Sequence, residues 1–129
     1  MQYQSMHKLT CTLAVLALVL TGAVAHAQDA VRVDPKHYTV EFENDAIRVL
    51  RIHYGPGEKS VMHGHPDAYA IFLTDGHVKF ALPDGKTEMS EVKAGQTRFT
   101  PAGKHLPENV GNKAFDLVLV ELKGKAAAK

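Results

Sequence analysis

Cysteine is almost missing from this sequence. Cys11 is the only one, so no intramolecular disulfide framework and no cysteine-built zinc cluster is available. Tryptophan is missing altogether. An excess of one charge is also lacking, with 15 Lys and Arg against 14 Asp and Glu and no basic run among them. A balance of that kind argues against nucleic acid and against an anionic membrane surface, which leaves a small molecule as the expected partner. Neither a Gly-x-Ser-x-Gly elbow nor a phosphate-binding loop occurs, and the glycines stand mostly singly, at turns. Beyond Gln28 no segment keeps a helical apolar period for three turns.

The one long apolar run lies at the start. Lys8 precedes a stretch from Leu9 to Val24 that is nearly free of polar residues, and Ala25-His26-Ala27 then offers a small-x-small cleavage site. The run is short for a membrane span and contains Thr21 and Gly22, so residues 1–27 are expected to be a cleaved signal peptide, with Gln28 as the new N-terminus. The protein is then periplasmic or secreted, with no membrane attachment after cleavage. Cleavage removes Cys11 and leaves 102 residues, enough for one domain with one core. That domain is expected over 28–123, with 124–129 as a flexible tail.

From Val31 onward the sequence alternates with period two. In Tyr38-Thr39-Val40-Glu41-Phe42-Glu43 the residues Tyr38, Val40 and Phe42 share one side. Ile47 to Tyr54 is a β-branched strand ended by Gly55-Pro56-Gly57. Ala68 to Thr74 is close to continuously apolar, as a strand covered on both faces would be. His77 to Leu82 alternates, with Val78, Phe80 and Leu82 inward, and Pro83-Asp84-Gly85-Lys86 is a hairpin turn. Shorter strands come next, and Ala114 to Leu122 is the clearest strand of all. Eight or nine strands with a turn every few residues imply an all-β, antiparallel sandwich or small barrel.

Within that pattern, His63-Gly64-His65 places two imidazoles on the same side of an extended backbone, as a shared metal requires. Alone, the tripeptide is as readily a pair of surface histidines. Further on, His105 follows Gly95-x5-Pro101-x-Gly103 and precedes Asn109. This resembles the second conserved motif of the cupin family, while Gly57-x5-His63-x-His65 with Gly76 resembles the first. The hairpin at Pro83-Asp84-Gly85 separates the two motifs, and the resemblance covers roughly Arg48 to Leu122.

The resemblance implies an antiparallel double-stranded β-barrel, or jelly roll, with a divalent metal (iron, zinc, nickel, copper or manganese) held by His63, His65 and His105. The glutamate of the family's first motif does not carry over, because its position is taken by Tyr69. Tyr69 is therefore a candidate catalytic group, as a phenolate or as a hydroxyl donating to a metal-bound ligand; it is as readily an ordinary strand tyrosine. Asp67 is read as a turn residue, and His37, His53 and His77 as structural or solvated. Arg51 and His53, if turned inward, would make one pocket wall basic and bind substrate with Phe72. Tyr54, Phe80, Phe99 and Leu106 would supply further apolar wall. Arg98 is another cation suited to an anionic substrate, whereas Arg48 is read as surface charge. The expected function is a dioxygenase or an isomerase/lyase acting on a small organic acid; the alternative is a non-catalytic module that binds a small molecule or metal. A homodimer is expected.

Overall fold

The computed structural model describes residues 28–124. The expected signal peptide over 1–27, and the tail beyond Gly124, lie outside the described residues. No helix among the described residues is long and apolar enough to cross a membrane.

The described residues open with one helical turn, α1 (Ala30–Val33), where the sequence suggested only period-two structure. The reason is local. Asp29 caps the turn by accepting a hydrogen bond from the Val31 amide, and Ala30 is fully buried. Nine strands come after it: β1 (Tyr38–Glu43), β2 (Ile47–Tyr54), β3 (His63–His65), β4 (Ala68–Phe72), β5 (Gly76–Ala81), β6 (Thr87–Val92), β7 (Thr97–Thr100), β8 (Gly103–Asn109) and β9 (Phe115–Leu122). They form two antiparallel sheets, one in the order β1-β2-β9-β4-β7 and the other β3-β8-β5-β6. This is the jelly roll the sequence implied.

The core lies between the sheets. Leu50, Ile52 and Tyr54 from β2, Ala68, Ala70 and Phe72 from β4, and Phe115, Leu117 and Leu119 from β9 all point into it, with Val78 and Val92 from the opposite sheet. Leu50 is fully buried, and its truncation to alanine would cost about 2–5 kcal/mol in lost transfer energy and residual cavity. Gly76 opens β5 beside this core, where an added Cβ would fall 2.3 Å from the Phe115 ring.

Two sequence expectations change. A β-bulge lies between Val40 and Phe42, so Phe42 pairs with Val49 and turns to the outer face, away from Tyr38. The β4 run is covered on one face only: Ala68, Ala70 and Phe72 are buried, but Tyr69 is 44 % exposed. On that outer face Phe42, Val49, Val120, Tyr69 and Phe99 are successive cross-strand partners. Together they make an apolar row across all five strands of the sheet.

Candidate metal centre

Strand pairing brings the three histidines together. β3 and β8 run antiparallel with His63 opposite His105 and Gly103 opposite His65. His63 and His65 share one side of β3, as their i, i+2 spacing requires. The three rings stand nearly perpendicular to one another, with centroids 4.8 Å (His63–His65), 4.9 Å (His63–His105) and 5.3 Å (His65–His105) apart. One ligand nitrogen from each lies within 4.8 Å of the other two, so the trio could hold a metal ion.

Hydrogen bonds behind the rings fix which nitrogen faces the centre. The His63 Nδ1–H donates to the Val61 carbonyl at 2.8 Å, with the Ser60 hydroxyl 3.3 Å away. Ser60 Oγ in turn donates to Asp34 Oδ2 at 2.5 Å, and the same carboxylate meets His37 Nδ1 at 2.7 Å. The His65 Nδ1–H donates to Glu121 Oε1 at 2.6 Å. In both rings the lone pair is thereby left on Nε2, turned toward the cluster.

His63 Nε2 and His105 Nε2 are buried and have no hydrogen-bond partner among the described residues. Orphaned buried polar atoms are costly and rare in folded proteins, and converging ones are what a cation site needs. Burial, with the neighbouring His65 second, lowers the His63 pKa to about 4. Burial, then His65 and His63, lowers that of His105 to about 3. Both imidazoles are neutral at pH 7, the form in which they ligate. The donor set therefore fits a divalent ion that accepts nitrogen.

Glu121 was not singled out in the sequence, and it is the largest addition the structure makes. It continues the inward face of β9 after Phe115, Leu117 and Leu119, and is only 2 % exposed. Its second oxygen, Oε2, accepts from Arg48 Nε at 2.6 Å, and Arg48 grips Asp29 with two further bonds of 2.8 Å. Burial pushes the Glu121 pKa up, but the hydrogen bonds from His65 and Arg48 outweigh it and hold it below the usual range. A chain of hydrogen bonds, Asp29–Arg48–Glu121–His65, thus runs from the N-terminal segment to the cluster. Arg48 is a half-buried part of it, not the surface charge expected. The segment is also tied in directly, since the Gln28 carbonyl accepts the amide of Gly64, between the two β3 histidines, at 2.8 Å. An acid at the end of an otherwise apolar inward face was the signal in the sequence that could have revealed Glu121.

The other expected site residues divide. Phe72 lines the cavity between the sheets, with Tyr54 and Phe80; Phe99 borders only its rim, since it sits on the outer face and is half-exposed, and Leu106 does not line it. Arg51 and His53 lie on the outer face, because Leu50, Ile52 and Tyr54 take the inward positions of β2. There Arg51 pairs with Glu41 at 2.8 Å and His53 with Asp116 at 2.7 Å, so neither forms a basic pocket wall. Tyr69 is likewise on the outer face, its hydroxyl 3.3 Å from Thr97 Oγ1, and does not reach the histidines. Asp67 accepts the Ala102 amide at 2.8 Å, as a turn residue does. Asn109 is buried and bridges Tyr54, Gly55 and Lys113 carbonyls, closing the loop beside the second motif.

The phenol that does approach the cluster is Tyr38. Its ring meets His63 edge-on at 4.8 Å, and its hydroxyl lies 2.6 Å from that of Tyr54. Burial raises the pKa of both phenols, so each is a neutral donor. Next to the histidines is a cavity of about 420 Å³, lined largely by apolar side chains and reached by His65, His105, Tyr38 and Arg98. Phe80 stacks on His105 at 5.1 Å and forms part of its wall.

Searches of sequence families and of curated proteins return no match to this chain. Solved structures do match. A cupin domain from Bordetella pertussis Tohama I is 26 % identical, with 67 % of this chain and 92 % of that one covered and a TM-score of 0.63. An uncharacterized conserved protein with a double-stranded β-helix domain from Klebsiella pneumoniae is 25 % identical, with 70 % and 78 % covered and a TM-score of 0.55. A cupin superfamily protein from Desulfitobacterium hafniense shares the fold at 14 % identity and a TM-score of 0.52, over 67 % of this chain and 76 % of that one.

Proposed function

We propose that this chain, whose fold is that of solved cupin domains, is an exported cupin that holds a divalent metal on His63, His65 and His105 and acts on a small organic acid in the adjoining cavity. The observation that carries this reading is the pair of buried Nε2 atoms, on His63 and His105, without a hydrogen-bond partner among the described residues, beside a ligand nitrogen of His65. A divalent ion bound there supplies Lewis acidity or a redox centre for an oxygen-bearing ligand. The chain's own residues do the rest. Glu121 orients His65, Val61 orients His63, and the stacked Phe80 steadies His105. The apolar walls exclude water, and of the paired Tyr38 and Tyr54 hydroxyls one donates to the other, leaving one O–H to donate to a ligand at the histidine end. The reaction class that suits this arrangement is a dioxygenase or an isomerase/lyase.

A second reading, a binding module without turnover, draws support from the absence of a carboxylate from the ligand cluster among the described residues. Elemental analysis of the purified protein, with His63→Ala and His105→Ala beside it, tests the metal. Equal metal content in all three would sink the site. Oxygen uptake and product formation over a panel of small acids and diketones, with iron loaded anaerobically, then separate the two readings. The expected homodimer would pack through the exposed row of Phe42, Tyr69 and Phe99. Light scattering of Phe42→Ser and Phe99→Ser tests this: a mass unchanged from the wild type would exclude that face.

A further inference from the structure

Arg98 is the arginine that lines the cavity. Arg48 and Arg51 are each neutralised by carboxylates, whereas Arg98 makes no ion pair among the described residues. Its position on β7 is opposite Ala70, one of the inward residues of β4, so its side chain starts toward the interior. The guanidinium carbon then sits 5.6 Å from the centroid of Phe72, a buried cavity wall. One terminal nitrogen donates to Ser90 Oγ at 2.9 Å. Ser90 belongs to β6, and β6 and β7 are edge strands of the two different sheets. Arg98 therefore spans the open side of the barrel with a single neutral hydrogen bond, leaving most of its five donors uncommitted.

The position relative to the histidines is set by register. Ser90 pairs with Val78, two residues along β5 from the Phe80 that stacks on His105. Two residues of strand are about 7 Å. The cavity thus has a metal-binding end at His65 and His105, an apolar middle at Phe72 and Phe80, and a cation further along at the mouth. Glu88, which also lines the cavity, pairs with Phe80 and is the one acid on that wall among the described residues.

We propose that Arg98 is the anion anchor of this cavity, and that the ligand is a monocarboxylate with an apolar body, its carboxylate on Arg98 and its other end toward the histidines. A planar guanidinium already held against an aromatic face loses little freedom when a carboxylate docks in the plane of its fork. Ser90 keeps one nitrogen in place while the others receive the anion. Only the orientation of the ligand's far end rests on the metal reading; the anchor itself does not.

The test is made on chelator-treated protein, so that a failure of the metal site cannot be confused with a failure of the anchor. Binding of 3-phenylpropanoate and of its uncharged amide is followed by NMR titration in wild type, Arg98→Gln, Arg98→Lys and Ser90→Ala, with thermal unfolding confirming that each is folded. The acid should bind wild type about tenfold or more tighter than the amide. Arg98→Gln should abolish that preference without changing the affinity for the amide, Arg98→Lys should keep part of it, and Ser90→Ala most of it. Glu88→Gln should leave the preference in place or increase it. Equal binding of acid and amide to wild type, no binding of either, or a preference that survives in Arg98→Gln would overturn the proposal. If Arg98 were only a staple between sheet edges, Ser90→Ala and Arg98→Gln would lower the unfolding temperature alike and neither would change the preference.

Discussion

Glu121 Oε1 lies 2.6 Å from His65 Nδ1, and the two residues come from different sheets. A carboxylate on the last strand thus reaches across the core to the back of an imidazole on the third. Tyr69 stands where the cupin motif would put an acid, and it faces away from the cluster. Glu121 brings a negative charge to the same centre from behind a histidine, and Arg48 and Asp29 hold it there. That contact locks the tautomer of His65 and orients its ring.

Removing the charge at that contact should weaken the metal site. Glu121→Gln preserves the size of the side chain and makes it neutral, so zinc affinity should fall about 10- to 100-fold. Competition with a chromogenic chelator measures it. An affinity within twofold of wild type would show that the relay does not act on the metal.

How far the site could be read from sequence depends on strand geometry. His63 and His65 were legible because i, i+2 residues of one strand share a face whatever the rest of the chain does, and His105 because its spacing to Asn109 keeps the motif, although it stands one residue nearer Gly103 than the family pattern has it. Tyr69 faces away from the histidines because β3 and β4 belong to different sheets, so facing cannot be counted across Pro66 and Asp67. Phe42 changed sides at a bulge that no residue type announces. Glu121 was hidden inside the strand whose alternation was most obvious: the pattern revealed the strand and drew attention away from the one polar residue on its inner face.

Acid should destabilise the metal-free protein. The buried His63 and the half-buried His105 have folded-state pKa values of about 4 and 3, below the ordinary histidine value of 6.5. The unfolded chain therefore binds more protons than the folded one between those values, and stability rises with pH across that interval. It should be at its full extent above about pH 6.5 and decline progressively as the pH falls toward 4 and then 3. Urea unfolding at pH 7 and pH 5 measures the difference, and His63→Ala with His105→Ala should flatten it. The same pH dependence in the double variant would assign the effect to other groups.

Tyr69 provides a contrast with Tyr38. Tyr69→Phe removes an exposed hydroxyl and should change stability by no more than about 0.5 kcal/mol, with zinc affinity unchanged. Tyr38→Phe leaves the buried Tyr54 hydroxyl without its 2.6 Å partner, at a cost of about 1–3 kcal/mol. Thermal unfolding of the pair checks both, and a larger loss from Tyr69→Phe would contradict the placement of that side chain.

Gly76→Ala should be poorly tolerated although β5 would otherwise accept alanine. The new methyl would meet the ring of Phe115 at 2.3 Å, and Phe115 is buried in the core against Phe72. Moving a packed ring costs about 1–3 kcal/mol. Chemical denaturation should show that loss, and Phe115→Leu in the same chain should recover part of it. If Gly76→Ala were neutral, the close approach of β5 to Phe115 would be wrong.

That three imidazoles bind one ion is the premise of the proposed function. X-ray absorption at the zinc edge, on zinc-loaded wild type and His105→Ala, tests it at the metal itself. Wild type should show imidazole scattering from three nitrogens at about 2.0–2.1 Å, reduced to two in the variant. Zinc without imidazole scattering, or a spectrum that His105→Ala leaves unchanged, would contradict it.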